Sequence, residues 1–279
     1  MQMRICTHDG AYHADDVIAA CFLQKIYTNV EIVRTRDQSV IDQADVVFDV
    51  GGVYNKSTLR FDHHQLSFTD CIGEIPLSSA GLIFRDLGLQ LCENGTHHQI
   101  IYQRFIKFID MHDNGIDGGR AEFSLQIAKL GAIGKTFEQA IEFAMQVLDL
   151  EIQFAKMLIS SKIEVEKAIS QQSGIFLHLD STVMWIEVLY DIPGNEKFMF
   201  VTTQKNGQYR INTINISDSS FRSRQKLPQQ WAGYRDSELD DITGVTGGVF
   251  VHKGAFVGIW KTKEALDQIK YILESKQKE

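Results

Sequence analysis

The chain opens with a short apolar run, Met3–Thr7, and then turns polar from His8 to Ala14 around Gly10. From Asp15 the stretch VIAACFLQKIY is apolar nearly all round a helical wheel, which predicts a helix enclosed between layers rather than lying on a surface. Val30–Arg34, Val46–Val50 (stopped by Gly51-Gly52) and the short run Leu59–Phe61 predict further strands. Strands alternating with helices at this spacing predict an α/β fold with a parallel sheet. Ser78–Leu87 and Thr96–Asp113 read as helices, the second capped by Thr96, with Ile101, Phe105, Phe108 and His112 on one stripe. Neither Gly nor Pro occurs between Gly134 and Gly174. Phe137, Ile141, Ala144, Leu148, Ile152, Ala155, Ile159 and Ile163 recur there at helical spacing, so one long helix, or two nearly collinear ones, is predicted.

Beyond Gln172 the texture changes. Ile175–Leu179, Val183–Tyr190, Lys197–Thr203 and Tyr209–Ile216 alternate like strands, with Asn206-Gly207 as a hairpin turn. Gly248–His252 and Ala255–Trp260 form a further pair, and Lys263–Glu274 is a closing helix. The chain thus divides into a parallel-sheet N-terminal domain, 1–171, and a smaller α+β domain, 172–279, built on an antiparallel sheet.

With 279 residues, 44% hydrophobic and 23% charged, the composition is globular. The formal net charge of −8 argues against a uniformly basic protein that coats nucleic acid and against electrostatic membrane binding. The excess is local: residues 1–171 carry 15 Lys/Arg against 23 Asp/Glu, whereas 172–279 carry 13 of each. Seven of the nine histidines share the acidic part, a pairing that suggests metal ligation. Cys6, Cys21, Cys71 and Cys92 lie singly, which excludes a zinc ribbon and a disulfide framework. No apolar stretch is long enough for a membrane span and no basic-then-apolar leader is visible, so a soluble cytoplasmic protein is expected.

Four clusters carry candidate chemistry. The first, His8 to Asp16, places two imidazoles and several carboxylates on a loop entering a helix, a donor set suited to Mn²⁺, Mg²⁺, Fe²⁺ or Zn²⁺. Equally, Asp15 or Asp16 could simply cap that helix. The second is Asp49, delivered by an apolar strand into a glycine turn. The third is Asp62-His63-His64, whose adjacent imidazoles point to opposite sides in extended backbone. The pair His97-His98 is assigned no role. The fourth is Asp110-x-x-Asp113, at a helix end whose dipole disfavours carboxylates and so invites a cation. His8, Asp49 and Asp62 all follow predicted strands, where parallel sheets gather ligands.

In this order the clusters resemble the ligand series of the DHH phosphoesterases. THDGAYHADDV, IVRTRD, VVFDVGGVY, RFDHHQLSF, LSSAGLIF, DMHDNGID and GGVFVHKGAFVG, spanning nearly the whole chain, look like the successive motifs of the melanocyte-proliferating-gene (Myg) family, whose members are described as metal-dependent hydrolases and RNA exonucleases. The resemblance implies a DHH-type catalytic domain over 1–171 and a substrate-binding domain over 172–279. It implies a metal site of His8, His13, Asp15, Asp49, His63 and Asp113, with Asp49 and Asp113 bridging two divalent cations, Mn²⁺ before Mg²⁺, and with His64 on the scissile phosphate. Asp110 is the alternative to Asp113. The chain departs from the usual His-x-x-x-Asp-x-Asp first motif: His13 stands where the first Asp is expected, and the loop is one residue longer. Gly258-Ile259-Trp260 replaces an expected Gly-Gly step.

The activity implied is hydrolysis of a phosphodiester with water activated by two metals, as in a 3′–5′ exonuclease on RNA or short oligonucleotides. Arg34 and Arg36 are candidates for phosphate recognition, with a salt bridge to Asp37 as the plain alternative. Arg222, Arg224, Lys226 and Arg235, interleaved with Phe221, Trp231 and Tyr234, suit a single-stranded nucleic acid, and His252 is a further candidate for substrate contact. Two other readings stay open: hydrolysis of a small phosphorylated metabolite, and a non-catalytic metal-binding protein. The long helix could pack within its domain or against a second copy in a homodimer.

Overall fold

The structure is a computed structural model that describes residues 2–118 and 120–275. The chain forms two compact units, Met1–Lys156 and Met157–Glu279, and the division falls inside the long helix rather than at its end near residue 171.

In chain order the first unit contains β1 (Met3–Thr7), α1 (Ala14–Ile26), β2 (Val30–Arg34), α2 (Gln38–Ile41), β3 (Val46–Phe48), β4 (Tyr54–Asn55), β5 (Arg60–Phe61), a small hairpin of β6 (Cys71–Ile72) and β7 (Ile75–Pro76), α3 (Ser79–Leu87), α4 (Gly95–Ile101), a π-helical turn (Tyr102–Ile106), α5 (Lys107–Asp113), α6 (Glu122–Ala132) and the start of α7 (Phe137–Gln171). The sheet order is β2-β1-β3-β5-β4. β2, β1, β3 and β5 run parallel, and only the edge strand β4 is antiparallel. Helix α1 explains its own composition: Ala14–Leu23 are all buried, because the helix packs on β1 and β2 and also against α3, α5 and α6. A helix contacted on every side has no face to leave polar.

Parallel strands present their carboxyl ends along one edge, and three of them place chemistry there. β1 runs into His8, β3 into Asp49, and β5 into Asp62, His63 and His64. Asp49 adopts φ 55, in the left-handed region, before Gly51 and Gly52 at φ 96 and φ 69. A non-glycine residue there costs about 1–2 kcal/mol, so packing must hold the Asp49 carboxyl in place.

The helical elements differ from expectation in detail. The predicted Thr96–Asp113 helix begins at Gly95 with Asn94 as its cap, the side chain accepting from His97 N at 2.9 Å, and it passes through the π turn. Its buried positions are His97, Ile101, Tyr102, Phe105, Ile106, Ile109 and Asp110, while His112 is exposed. Along α7 the predicted stripe is followed as far as Ala155. Ile163 is 58% exposed, and in the second unit Leu158, Val165, Ala168 and Ile169 are buried instead.

The second unit contains β8 (Phe176–His178), α8 (Trp185–Val188), β9 (Phe200–Lys205), β10 (Gln208–Thr213), α9 (Asp236–Thr243), β11 (Gly248–Val251), β12 (Val257–Trp260) and α10 (Lys263–Ser275). The sheet order is β11-β12-β10-β9-β8. It is antiparallel except for β8, which pairs parallel to β9. The predicted strand Val183–Tyr190 is helical, and this segment forms part of the connection that a parallel β8–β9 pair needs. Asn206-Gly207, at φ 53 and 75, makes the expected two-residue hairpin turn. Gly258 stands beside the fully buried Trp260, whose indole occupies the space a Cβ would take. No helix among the described residues is long and apolar enough to cross a membrane.

Asp110 is fully buried beneath the start of α3, where its Oδ1 accepts from Ser78 N at 3.0 Å and Ser78 Oγ at 2.7 Å. A Cβ on Gly81 would run into that carboxyl. Gly81→Ala is therefore expected to lower the unfolding free energy by about 1–3 kcal/mol in urea titrations. Burial pushes Asp110 up to about 7 against its ordinary 3.8. The folded state then holds a proton that the unfolded chain releases, so this contribution is present below 3.8 and fades as pH rises to about 7. Asp110→Asn keeps an oxygen acceptor and should lack that slope, so its stability relative to wild type should rise with pH across the same window.

Candidate metal centre

His8 follows β1, and its ring is held by the backbone. Gly10 N–H donates to Nδ1 at 3.1 Å, which turns Nε2 towards Asp16 Oδ2 at 3.3 Å and Asp49 Oδ2 at 3.2 Å. Hydrogen bonds to those two carboxylates push the His8 pKa up to about 9, opposed by burial. The other Asp49 oxygen, Oδ1, faces His63 Nε2 at 3.4 Å and accepts from Ser79 Oγ at 3.3 Å. One strained carboxylate thus turns one oxygen to each of two imidazoles. Burial pushes Asp49 up, but His63 and His8 more than offset it and hold the group below the ordinary carboxylate range.

Around His63 Nε2 lie Asp113 Oδ2 at 3.4 Å and Asp15 Oδ2 at 3.9 Å, as well as Asp49. His13, the residue before α1, shares a close group with Asp15 and Asp113. Asp113 approaches His63 and no short contact joins it to His8, so of the two expected bridging groups only Asp49 spans both imidazoles. Asp110, three residues earlier, is committed to Ser78.

Asp62 does not join the cluster; it shapes the loop. Its Oδ2 accepts from Gly52 N at 2.6 Å, and its Oδ1 accepts from His63 N at 2.8 Å and from the His64 ring at 2.7 Å. His64 is 62% exposed in its side chain, and its bond to Asp62 raises its pKa. It lines a cleft of about 560 Å³ together with His8, His13, Asp49, Gly51 and Arg36.

The two arginines separate. Arg34 donates from Nε to His8 O at 3.1 Å and from Nη2 to Gly10 O at 2.7 Å, and it lies over the Phe137 ring. The expectation of a guanidinium free for phosphate is not met there; Arg34 braces the His8–Gly10 loop. Arg36 is exposed in the cleft beside Asp9 at 3.5 Å. Asp37 pairs with neither, since it caps α2. In the second unit Arg224 donates to the carbonyls of Asn195 and Phe198, and Trp231 is buried, so neither offers the free group that was expected. Arg222, Arg235 and Tyr234 are exposed, as is Phe221 at 100%. His252 Nδ1 accepts from Gly254 N at 3.0 Å, and the ring lies against Phe256. His97 and His98 hold the carbonyls of Ile152 and Phe84.

Asp16 is the group that sequence reasoning left out. Asp15-Asp16 directly precede a helix apolar all round, and that is the signal: acids at the start of an enclosed helix must be buried with it. Asp15 is 1% exposed and Asp16 fully buried. Both Asp15 oxygens are buried with no hydrogen-bond partner, and Asp16 Oδ2 and His63 Nε2 meet only the imidazole and carboxylates of the cluster itself. Burial drives Asp15, Asp16 and Asp113 above the ordinary carboxylate range, with neighbouring carboxylates adding to it. Each unpaired buried charge costs several kcal/mol. Imidazole and carboxylate donors converging with unused lone pairs fit divalent cations.

If the cluster is built for cations, Asp15→Asn removes an uncompensated charge from the metal-free protein. Chemical denaturation in chelator should show the variant about 1–3 kcal/mol more stable than wild type. Its rise in melting temperature on adding Mn²⁺ should be smaller. A metal-free variant less stable than wild type would contradict this.

Residues 4–270 match the model of a family described as "Uncharacterised protein family (UPF0160)", the MYG1 exonuclease model. A MYG1 protein of Dictyostelium discoideum is 33% identical over 94% of this chain and 93% of its own length. The human MYG1 exonuclease is 32% identical over 94% of this chain and 83% of its own. The RecJ structure from Thermus thermophilus in complex with Mn²⁺ aligns with 98% of this chain and 51% of its own at 14% identity, but a TM-score of 0.28 is too low to carry weight. A family model matched over residues 4–270, with relatives of this identity along nearly all of the chain's length, places the chain in the MYG1 family.

Proposed function

We propose that the protein is a metal-dependent phosphodiesterase, an exonuclease that takes RNA or short oligonucleotides. The observation that carries this is the buried and half-buried set of His8, Asp15, Asp49, His63 and Asp113, with His13 beside it, next to a cleft and with both Asp15 oxygens buried without a partner. Two relatives that carry the name exonuclease, the human and mouse proteins, support the reading.

His8, His13, Asp15, Asp49, His63 and Asp113 would hold divalent cations, Mn²⁺ before Mg²⁺, which when bound would supply an acidified water and neutralise charge on the phosphate. The chain's own groups do the rest. Asp49 ties the His8 and His63 sides together, and Asp15, Asp113 and His13 complete the second side. His64, oriented by Asp62 and exposed in the cleft, meets the phosphate as a hydrogen-bond donor whose cationic form Asp62 favours. Arg36 offers a fork of donors to the same anion, while Arg34 positions the His8 loop. In the second unit the exposed Arg222, Arg235, Phe221 and Tyr234, with His252, supply charge and stacking surface for single-stranded substrate. Arg224 supports them through its carbonyl contacts.

A short labelled RNA should release mononucleotides with Mn²⁺ and none in excess chelator. His63→Ala and Asp49→Ala should reduce the rate by about 100-fold or more. Arg36→Ala should weaken binding with less effect on turnover. Turnover of pyrophosphate or another small phosphate compound, with RNA left intact, would move the assignment to a metabolite hydrolase. No turnover of any phosphate ester with Mn²⁺ present would leave a metal-binding protein without this catalysis.

A further inference from the structure

We propose that Asp16 is a metal ligand, completing with His8 and Asp49 the first of two cation positions, in the place that the family resemblance gives to His13. The inference rests on the metal-dependent reading above and concerns which residues of this chain build that position.

His8 Nε2 has two carboxylate oxygens at nearly equal distance, Asp49 Oδ2 at 3.2 Å and Asp16 Oδ2 at 3.3 Å. Cis ligands on an octahedral cation with bonds of about 2.1 Å stand about 3 Å apart, so this spacing suits three donors to one ion. The three donor atoms lie within 4.8 Å of one another and all three residues are buried. Apart from His8 Nε2, Asp16 Oδ2 has no hydrogen-bond partner, and its side chain is fully buried.

Capping α1 is the competing explanation, and it accounts for only half of the carboxylate. Asp16 Oδ1 accepts from His13 N at 2.9 Å, a bond from the third residue of the helix back to its cap. An acidic group in the first turn gains only a small stabilisation from the helix dipole, less than the cost of burying a carboxylate completely. A cap alone would therefore be expected to stay at the surface. The same Oδ1 bond fixes the side chain so that Oδ2 is directed at His8. His13, in contrast, is exposed and grouped with Asp15 and Asp113 on the His63 side. The extra residue in the first loop, together with His13 in place of Asp, leaves the position beside His8 without its usual carboxylate, and Asp16 supplies one from the next turn of backbone.

The test is Mn²⁺ stoichiometry by calorimetry, together with the electron paramagnetic resonance spectrum, on full-length wild type and Asp16→Asn. The asparagine keeps an oxygen to accept from His13 N–H, so the cap survives. Wild type should bind two Mn²⁺ with a spin-coupled spectrum, and Asp16→Asn should bind one with an uncoupled spectrum. His13→Gln should retain the ion on the His8 side. Two ions in Asp16→Asn, with affinities within about twofold of wild type, would overturn the assignment and leave Asp16 a cap. Wild type with no Mn²⁺ at all would overturn the metal-dependent reading itself, a distinguishable result. If Asp16→Asn does not fold, Asp16→Ser, which also retains a capping oxygen, carries the same comparison.

Discussion

Four carboxylates, Asp15, Asp16, Asp49 and Asp113, are gathered together, three of them buried and Asp113 half-buried, and much of the first unit's architecture holds them there. Their mutual repulsion and lost hydration oppose folding. His8 and His63 offset part of this, and Asp49, which touches both, is the one acid held clearly ionised. The rest of the cluster stays under-compensated in the polypeptide alone. That is the arrangement expected of a site whose missing charges arrive with divalent cations, and it gives the net charge of −8 a purpose: the acidity is concentrated where positive ions and a phosphate are to meet.

The surrounding structure prevents the cluster from relaxing. Helix α1 is enclosed on all sides, so Asp15 and Asp16 cannot swing to solvent. Asp49 sits in a left-handed conformation at the end of a three-residue strand with no room to retreat. Arg34 clamps the loop after β1 through two carbonyls, and Asp62 clamps the loop after β5 through two backbone donors and the His64 ring. Asp110, buried under α3 and bonded to Ser78, anchors the helix that carries Asp113. Several residues that look reactive in the sequence are thus the frame for others.

That distinction explains how much was legible beforehand. Strands β1 and β2 and the enclosed character of α1 followed from apolar patterning, because a parallel sheet covered by helices leaves an unambiguous signature. That His8, Asp49 and Asp62 follow strands sharing one edge was readable from the patterning, and His63 lies next to Asp62. What the patterning did not carry were tertiary commitments. Arg34 and Arg224 are indistinguishable in sequence from free guanidiniums until the carbonyls they bind are placed. Trp231 stands among basic residues yet belongs to a core. Val183–Tyr190 alternates like a strand but forms part of the β8–β9 connection. Asp16 was hidden by its neighbour, since either acid could cap the helix and only the fold shows that both are buried.

In the proposed site one carboxylate, Asp49, joins two cation positions. The most direct test of this is the metal content of protein prepared without chelator, measured by plasma mass spectrometry on wild type and Asp49→Ala side by side. Wild type should carry two divalent ions per chain, and Asp49→Ala should lose both with the fold retained by circular dichroism. A folded Asp49→Ala that keeps both ions would contradict that role for Asp49.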